Sequence, residues 1–324
     1  MSATNEEQLL HTPSPLQVGL IGNPVAHSYS PRLQQAALDA LGIPARYELW
    51  QTTADELPAR IASLRAPHCL GANVTIPHKE AVLPLLDSID PLAARIGAVN
   101  TIVHHHASLY GYNTDAHGLL HALVEQGIGK QLGNGYDLAS TRDATTFSSG
   151  DSTYKNVVSL KGYSAVLLGA GGAARSAAFA LVQAAVERLI IVNRHLDRAQ
   201  RLAAQVQQGS HCQVFSLDDP TLLMPQPASL IINATPLGMH AASEQRAAQE
   251  TSPLTLDVLA RFAPDTFVFD MIYNPRQTRL LCQASSLGLR AVNGLPMLLH
   301  QGALAFTLWT GQPAPLEVMR SVLF

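Results

Sequence analysis

The run YSAVLLGAGGAARSAAFALVQ, which begins at Tyr163, constrains the fold of this chain more than any other segment. A short apolar stretch leads into a turn of glycines, and an alanine-rich stretch of helical length leaves it. That order reads as a buried strand, a tight turn and a helix. The apolar window from Ser164 to Val186 is long enough to suggest a membrane span, but Arg175 and the glycine turn interrupt it. A second apolar strand, RLIIVNRH (Arg188–His195), follows at once, so the unit is strand–helix–strand. Two strands joined by a helical crossover lie parallel, and a parallel sheet needs helices on both faces.

The glycine turn, Gly169–Arg175, has a chemical reading as well. Glycines let a backbone approach a pyrophosphate closely, and the N-terminus of the following helix offers unpaired N–H groups and positive dipole. The segment departs from G-x-G-x-x-G at Ala174, the smallest replacement for a glycine that serves close helix–strand packing. NAD enzymes place a carboxylate about 20 residues on, at the end of the next strand, to hold the ribose hydroxyls. Here that strand ends in Asn193-Arg194-His195, with Arg198 one helical turn further. Two guanidinium groups and no carboxylate suit a ribose phosphate, so the expected cofactor is NADP.

The rest of the chain repeats the alternation. Strands are expected at Leu16–Gly22, Tyr47–Gln51, Gly71–Thr75, Val99–His104, Leu109–Tyr112, Ser229–Met239, Thr266–Pro275 and in LRAVNG. Helices are expected at Pro31–Leu41, capped by Ser30, and at Asp55–Leu64, Glu80–Leu86, Asp115–Gln126, Asp197–Gln207, Gln277–Leu287, Pro296–Trp309 and Leu316–Leu323. A chain of 324 residues built this way exceeds one ordinary core, and two α/β domains are the natural division. Residues 1–15 read as a frayed polar arm. Residues 129–161, rich in Gly, Ser, Thr and Asp, read as a surface insertion.

Composition narrows the function classes. Charged residues make up 14% and the formal net charge is -3 with no basic block, which argues against a nucleic-acid partner. Cys69, Cys212 and Cys282 are isolated and odd in number, without metal-ligand spacing, and the N-terminus has no secretory core; a reducing cytoplasm is expected. His104–His106 cannot converge on one ion, because successive strand residues point to opposite faces. No metal is expected.

Polar residues cluster at the ends of strands in the first half, where α/β sheets form their ligand crevices. Ser28 and Ser30 follow the first strand, Asn73 and Thr75 end the third, Lys79 lies beyond Pro77, Asn100 is in GAVNT and Asp115 in NTD. Singly each has a plain structural reading: Ser30 or Asp115 as a cap, Asn73 satisfying backbone, Lys79 in solvent. Together they suit a polyhydroxylated acid, and a Lys–Asp pair can move protons if the two side chains meet.

HSYSP, GANVTIPHKE, GAVNT, NTD, GAGGAAR, NRHLDR, NATPLGM, DMIYNP and NGLPMLLHQGALAF resemble, in order, the motifs of shikimate dehydrogenases from about residue 17 to the C-terminus. The resemblance implies reversible reduction of 3-dehydroshikimate to shikimate by NADPH, in aromatic amino-acid biosynthesis. It implies an N-terminal α/β substrate domain (residues 16–115 with 300–324) and a Rossmann-like NADP-binding domain (116–299), with the last helix returning to the first domain. Lys79 and Asp115 would be the catalytic pair. Ser28 and Ser30 would hold the carboxylate, Asn73, Thr75, Asn100 and Gln301 the hydroxyls, and Tyr273 would close the pocket. Gly169, Ala170, Gly171, Gly172, Ala173, Asn193, Arg194, His195, Arg198, Thr235, Met271, Gly294 and Met297 would line the cofactor. The chain departs from the family at His195, where Thr is usual, at Gln34, where many members carry His, and at Pro296, where many carry Gly. A quinate or dual-specificity dehydrogenase is the near alternative; a non-catalytic NADPH sensor is the distant one, and it would be expected to lose the Lys–Asp pair. Monomer and homodimer both remain open.

Overall fold

The computed structural model describes residues 15–132, 158–206, 211–217, 228–239 and 251–324. Two six-stranded sheets organise them. The first contains β1 (Leu16–Gly22), β2 (Ala45–Gln51), β3 (Cys69–Val74), β4 (Ser88–Ile89), β5 (Thr101–His105) and β6 (Ser108–Tyr112), in the order β2-β1-β3-β5-β6-β4. β1 is parallel to both β2 and β3, whereas β5 is antiparallel to β3 and β6. Helices α1 (Ser30–Ala40), α2 (Leu57–Ser63) and α3 (Pro91–Ile96) connect these strands, and α4 (Thr114–Glu125) leaves the sheet.

The second sheet is formed by β9 (Ser164–Leu168), β10 (Arg188–Asn193), β11 (His211–Ser216), β12 (Leu230–Asn233), β13 (Phe267–Asp270) and β14 (Arg290–Val292). All its pairings are parallel, in the order β11-β10-β9-β12-β13-β14. Counted within the sheet this is 3-2-1-4-5-6, the doubly wound order whose chain reversal opens a crevice between the first and fourth strands. Its helices are α5 (Gly172–Gln183), α6 (Leu196–Val206), α7 (Leu256–Leu259) and α8 (Arg279–Ser286). Then α9 (Leu295–Thr310) and α10 (Leu316–Ser321) complete the chain.

α9 belongs to the first sheet in packing although it follows the second in sequence. Leu295, Leu299, Ala303 and Phe306 share a buried cluster with Val18, Leu20 and Leu33, and the indole N–H of Trp309 donates to the Ile102 carbonyl at 2.9 Å. On its other side α9 runs along α4. Among the described residues no helix is long and apolar enough to cross a membrane.

Four elements depart from expectation for identifiable reasons. Only a 3₁₀ turn, Leu83–Leu85, forms in place of the Glu80–Leu86 helix, because Pro84 removes an amide and blocks the preceding turn. α3 was hidden by its shortness; Asp90 caps it, accepting from the amides of Leu92 and Ala93 at 2.9 and 3.2 Å, and Pro91 opens it. Ser30 is the first residue of α1 and not its cap; its own amide donates to Ser28 Oγ at 3.2 Å. The ends of the expected insertion pair, β7 (Lys130–Gln131) with β8 (Val158–Ser159), antiparallel; residues 133–157, like the expected arm 1–14, lie outside the described residues.

Candidate active site

The first half of the site is assembled at the C-terminal end of β3 and at the entry to α4. Asn113 is the N-cap of α4, accepting from the Ala116 amide, which leaves the next-turn carboxylate of Asp115 free for other work. Asp115 turns inward, and Lys79 Nζ donates to its Oδ2 at 2.6 Å. The pair is well covered, with side chains 17% and 9% exposed, so neither group is a solvated surface charge. Asn100 holds the other carboxylate oxygen, its Nδ2 donating to Asp115 Oδ1 at 2.8 Å. The Asn100 amide is itself fixed, because its Oδ1 accepts from the Thr114 backbone N–H at 2.7 Å. Lys79 and Asp115, 36 residues apart, thus meet through a network whose every member is held by another.

Of the remaining residues expected on the substrate side, Gln301 and Asn73 join this network through Asn100. Gln301, from α9, places Oε1 at 3.4 Å from Asn100 Nδ2, and its own Nε2 donates to the Leu298 carbonyl. Asn73 is buried at the end of β3, with Nδ2 donating to the Asn100 carbonyl and to Thr101 Oγ1, each at 3.2 Å. Ser28 Oγ donates to Ser30 Oγ at 3.1 Å. Tyr273 stacks obliquely on Tyr29 at 5.3 Å, and burial holds its phenol above the usual range while its hydrogen bond with Ser28 acts the other way. Thr75 is half-buried just beyond β3. Gln34, the departure from the family's His, donates to the Gly302 carbonyl at 2.9 Å and ties α1 to α9. His78 is buried against the Thr52 carbonyl at 2.7 Å, a structural anchor beside Lys79.

The second half lies at the crevice of the parallel sheet. Gly169 adopts a φ of +111°, and a Cβ there would sit 3.1 Å from the Ala234 carbonyl oxygen, so the loops after β9 and β12 can approach only because it is glycine. A Cβ at Gly171 or Gly172 would meet nothing within 4 Å, which leaves open space before the first turn of α5. Ala170 and Ala173 flank that space, half-buried. Asn193 Nδ2 donates to the His195 carbonyl at 2.8 Å, shaping the turn that carries Arg194, His195 and Arg198 outward into solvent. Open backbone amides at a helix N-terminus beside two exposed guanidinium groups fit a phosphorylated dinucleotide.

Thr235 follows β12, Met271 follows β13, and Gly294 and Met297 lie at the start of α9. Thr235 donates through both N–H and Oγ1 to Asn233 Oδ1. A Cβ on Gly294 would stand 2.2 Å from the Met271 carbonyl oxygen, so the start of α9 lies directly on the β13 loop. Met297 is 8% exposed, within the buried cluster of the parallel sheet.

Several residues that shape the site were not among those expected, although Thr101, Thr114, Arg175 and Asp270 lie inside the quoted motifs. Tyr47, Thr101 and Thr114 are buried within the substrate-side network. Asp270 is fully buried, accepts from Asn233 Nδ2, Thr278 Oγ1 and the Ile272 amide, and is pushed up by burial to about 6. Arg175, in the glycine turn, reaches across to donate from Nε to the Ile96 carbonyl at 2.7 Å, and Ser176 accepts from Asn113. The two halves are therefore stitched together beside the cofactor loop.

A Rossmann-ordered sheet joined through Asn113–Ser176 and Arg175–Ile96 to a half that carries a covered, hydrogen-bonded lysine–carboxylate pair defines a two-domain dehydrogenase. Known proteins agree. The shikimate dehydrogenase substrate-binding domain matches residues 20–102, the shikimate/quinate 5-dehydrogenase family 152–255, and the shikimate 5'-dehydrogenase C-terminal domain 294–324. The shikimate dehydrogenase (NADP(+)) of Moorella thermoacetica is 41% identical over 309 residues, covering 94% of this chain and 92% of its own. Shikimate 5-dehydrogenase from Thermus thermophilus, solved with NADP(H) and shikimate, superposes with a TM-score of 0.75 at 35% identity, covering 95% and 98%. Quinate dehydrogenase from Corynebacterium glutamicum, solved with NAD, has a TM-score of 0.76 at 27% identity, covering 95% and 98%. The chain belongs to the shikimate dehydrogenase family.

Proposed function

We propose that this protein is an NADP-dependent shikimate dehydrogenase, interconverting 3-dehydroshikimate and shikimate. The observation that carries the reading is the Lys79–Asp115 pair, 2.6 Å apart, largely covered and locked by Asn100. The substrate side is assigned to residues 16–115 with 300–324, and the cofactor side to 116–299.

NADPH, when bound, supplies the hydride. Gly169–Ala173 would cradle its pyrophosphate, Arg194 and Arg198 would hold the ribose phosphate with Asn193 and His195 shaping the turn, and Thr235, Met271, Gly294 and Met297 would line the rest of its site. The substrate carboxylate rests on the hydroxyls of Ser28 and Ser30, under Tyr273. Asn73, Thr75, Asn100 and Gln301 bond the ring hydroxyls, so the face of the carbonyl is set by several contacts at once. As the carbonyl carbon accepts hydride, negative charge grows on its oxygen, and Lys79 Nζ delivers a proton there. Asp115 keeps the ammonium aimed and accepts from the neighbouring substrate hydroxyl. Lys79 regains its proton from water before the next turnover, and in the oxidising direction the same atoms move the proton back.

NADP preference over NAD is supported by two exposed arginines and no carboxylate at the end of β10. Three free cysteines suit a reducing cytoplasm, and the enzyme is expected to act as a monomer or homodimer. Steady-state assay of the purified chain with shikimate or quinate, each against NADP+ or NAD+, tests the reading. Shikimate with NADP+ should give the highest kcat/KM; a higher value for quinate with NAD+ would overturn both choices.

A further inference from the structure

Asp270 ends β13 fully buried, and three donors converge on its carboxylate. Thr278 Oγ1 reaches Oδ2 at 2.6 Å, while Asn233 Nδ2 and the Ile272 amide reach Oδ1 at 2.9 and 3.1 Å. An ionised carboxylate can only accept, so the direction of each bond is settled.

Two arms lead from this group toward the ligand side. The first runs through Asn233, at the end of β12. With Nδ2 turned to the carboxylate, its Oδ1 faces the following loop and accepts from the Thr235 amide at 3.0 Å and from Thr235 Oγ1 at 2.7 Å. The Thr235 hydroxyl, its proton given to Asn233, accepts from the Leu237 amide at 3.3 Å. That leaves the methyl for the glycine turn: a Cβ on Gly169 would lie 3.3 Å from Thr235 Cγ2. Thr235 therefore meets the turn as an apolar wall, not as a donor. The second arm is the Ile272 amide, which fixes the backbone between Met271 and Tyr273, while the Ile272 carbonyl accepts from the Gly294 amide at 3.0 Å. Tyr273 follows at once, its ring against Tyr29, the residue between Ser28 and Ser30.

We propose that Asp270 is a positioning residue for the reaction: one buried carboxylate sets the Thr235 wall against the glycine turn through Asn233 and seats Tyr273 against the substrate side through the Ile272 amide. Packing does not account for a charge at this place, since a carboxamide fills the same volume without burying an anion. None of its three partners is charged, and burial outweighs their hydrogen bonds, holding the carboxyl up at about 6, so the ionised form lowers the stability of the fold that keeps it. The inference rests on the shikimate dehydrogenase reading, which names the two ligands that the arms serve.

Asp270→Asn keeps the shape and removes the charge. At pH 8 it should raise KM for NADP+ and for shikimate by about three- to tenfold each, the size of one hydrogen bond, with kcat within about threefold. Its thermal midpoint should equal or exceed the parent's, because a buried anion has gone. Thr235→Val cuts the first arm alone and keeps a methyl toward Gly169. It should raise KM for NADP+ and leave that for shikimate within about twofold. In the Thr235→Val background, Asp270→Asn should move the NADP+ value by less than about twofold and still raise the shikimate value in full, because only the NADP+ effect passes through Thr235. A lowered midpoint or unmoved KM values in Asp270→Asn, or an equal NADP+ shift in both backgrounds, overturns the proposal and leaves Asp270 a packing residue. If the unaltered enzyme fails to oxidise shikimate at all, the functional reading falls and this inference with it; an active parent with unmoved KM values in the variant removes the inference alone.

Discussion

The two sheets solve opposite problems with opposite materials. On the parallel sheet the site is made of backbone: glycines, a helix N-terminus and side chains at strand ends that reach outward into water. On the mixed sheet it is made of mostly buried side chains that already satisfy one another, from Tyr47 through Asn73 and Asn100 to Asp115 and Lys79, with Ser28 and Ser30 paired with each other. A cofactor shared by many enzymes needs a cradle that any sequence with glycine in the right places supplies. A particular ring acid needs polar groups held at fixed positions, and burial holds them. The two sides should therefore fail differently when altered, through chemistry on one and through binding on the other.

The largest contrast is expected at Lys79. A positioned proton donor contributes about 100- to 10,000-fold to rate, so Lys79→Ala should lower kcat by a factor in that range with NADP+ affinity nearly unchanged. Lys79→Arg should rescue little, because guanidinium holds its proton too tightly. Near-normal turnover in Lys79→Ala at saturating shikimate would break the comparison outright. Arg194→Ala is the counterpart on the cofactor side. Loss of one charge-assisted contact, about 1.5–3 kcal/mol, should weaken NADP+ and spare NAD+. Equal loss for both cofactors would remove the phosphate from Arg194.

Glycines sharpen the same contrast within the cofactor side. A methyl at Gly294 would meet the Met271 backbone at 2.2 Å, whereas one at Gly171 would project into open space. Gly294→Ala should cost stability, about 1–3 kcal/mol or more. Gly171→Ala should leave the thermal midpoint nearly unmoved while weakening NADP+. Thermal melts with and without NADP+ separate the two, and matching losses of stability would show that the space before α5 serves packing.

Much of this was legible in the sequence where the determinant is local. Strand, glycine turn and helix are contiguous around Gly169, so the cofactor crevice could be read from one segment. Lys79, Asn100 and Asp115 stood out as polar groups at strand ends. Tyr47 did not, because its bond to Asn73 depends on β1 lying between β2 and β3, and a tyrosine in a strand ordinarily reads as core. Asp270 opens the DMIYNP motif, but its role was hidden in the same way: its partners Asn233 and Thr278 come from another strand and from the cap of a later helix. The missed α3 and the false helix at Glu80–Leu86 have a simpler origin, since a capped proline start after Asp90 and a proline within AVLPLL were each outweighed by apolar content.

The smallest predicted effect sets the two regions against each other through pH. His117 and His121 lie on α4 under α9, where burial first and a neighbouring histidine second depress them to about 3 and about 4, from an ordinary 6.5. Their surroundings include His300 of α9, bonded to Glu125 at 2.6 Å, and Arg320 of α10, paired with the same carboxylate. Below pH 6.5 the unfolded chain takes up protons that the folded helices refuse, so stability is full above that value and falls as pH drops toward 4 and 3. Glu125, held down to about 2 chiefly by its hydrogen bond with His300, stays ionised in this window, and its own contribution begins to be lost only below its ordinary 4.5. Asp270 on β13 runs the other way: raised to about 6, it destabilises the fold when ionised, and acidification through 6 relieves it. From about pH 7 to about pH 5 the histidines should cost about 2 kcal/mol each and Asp270 should return about 1, a net loss on the order of 3 kcal/mol. His121→Gln should remove a large part of that slope. Hydrogen exchange, corrected for intrinsic rates, should show α4 and α9 opening near the acid end of this range while β13 keeps its protection. Uniform loss across both regions would mean that the helix seam and the parallel sheet unfold as one unit and that their titrations are not separable.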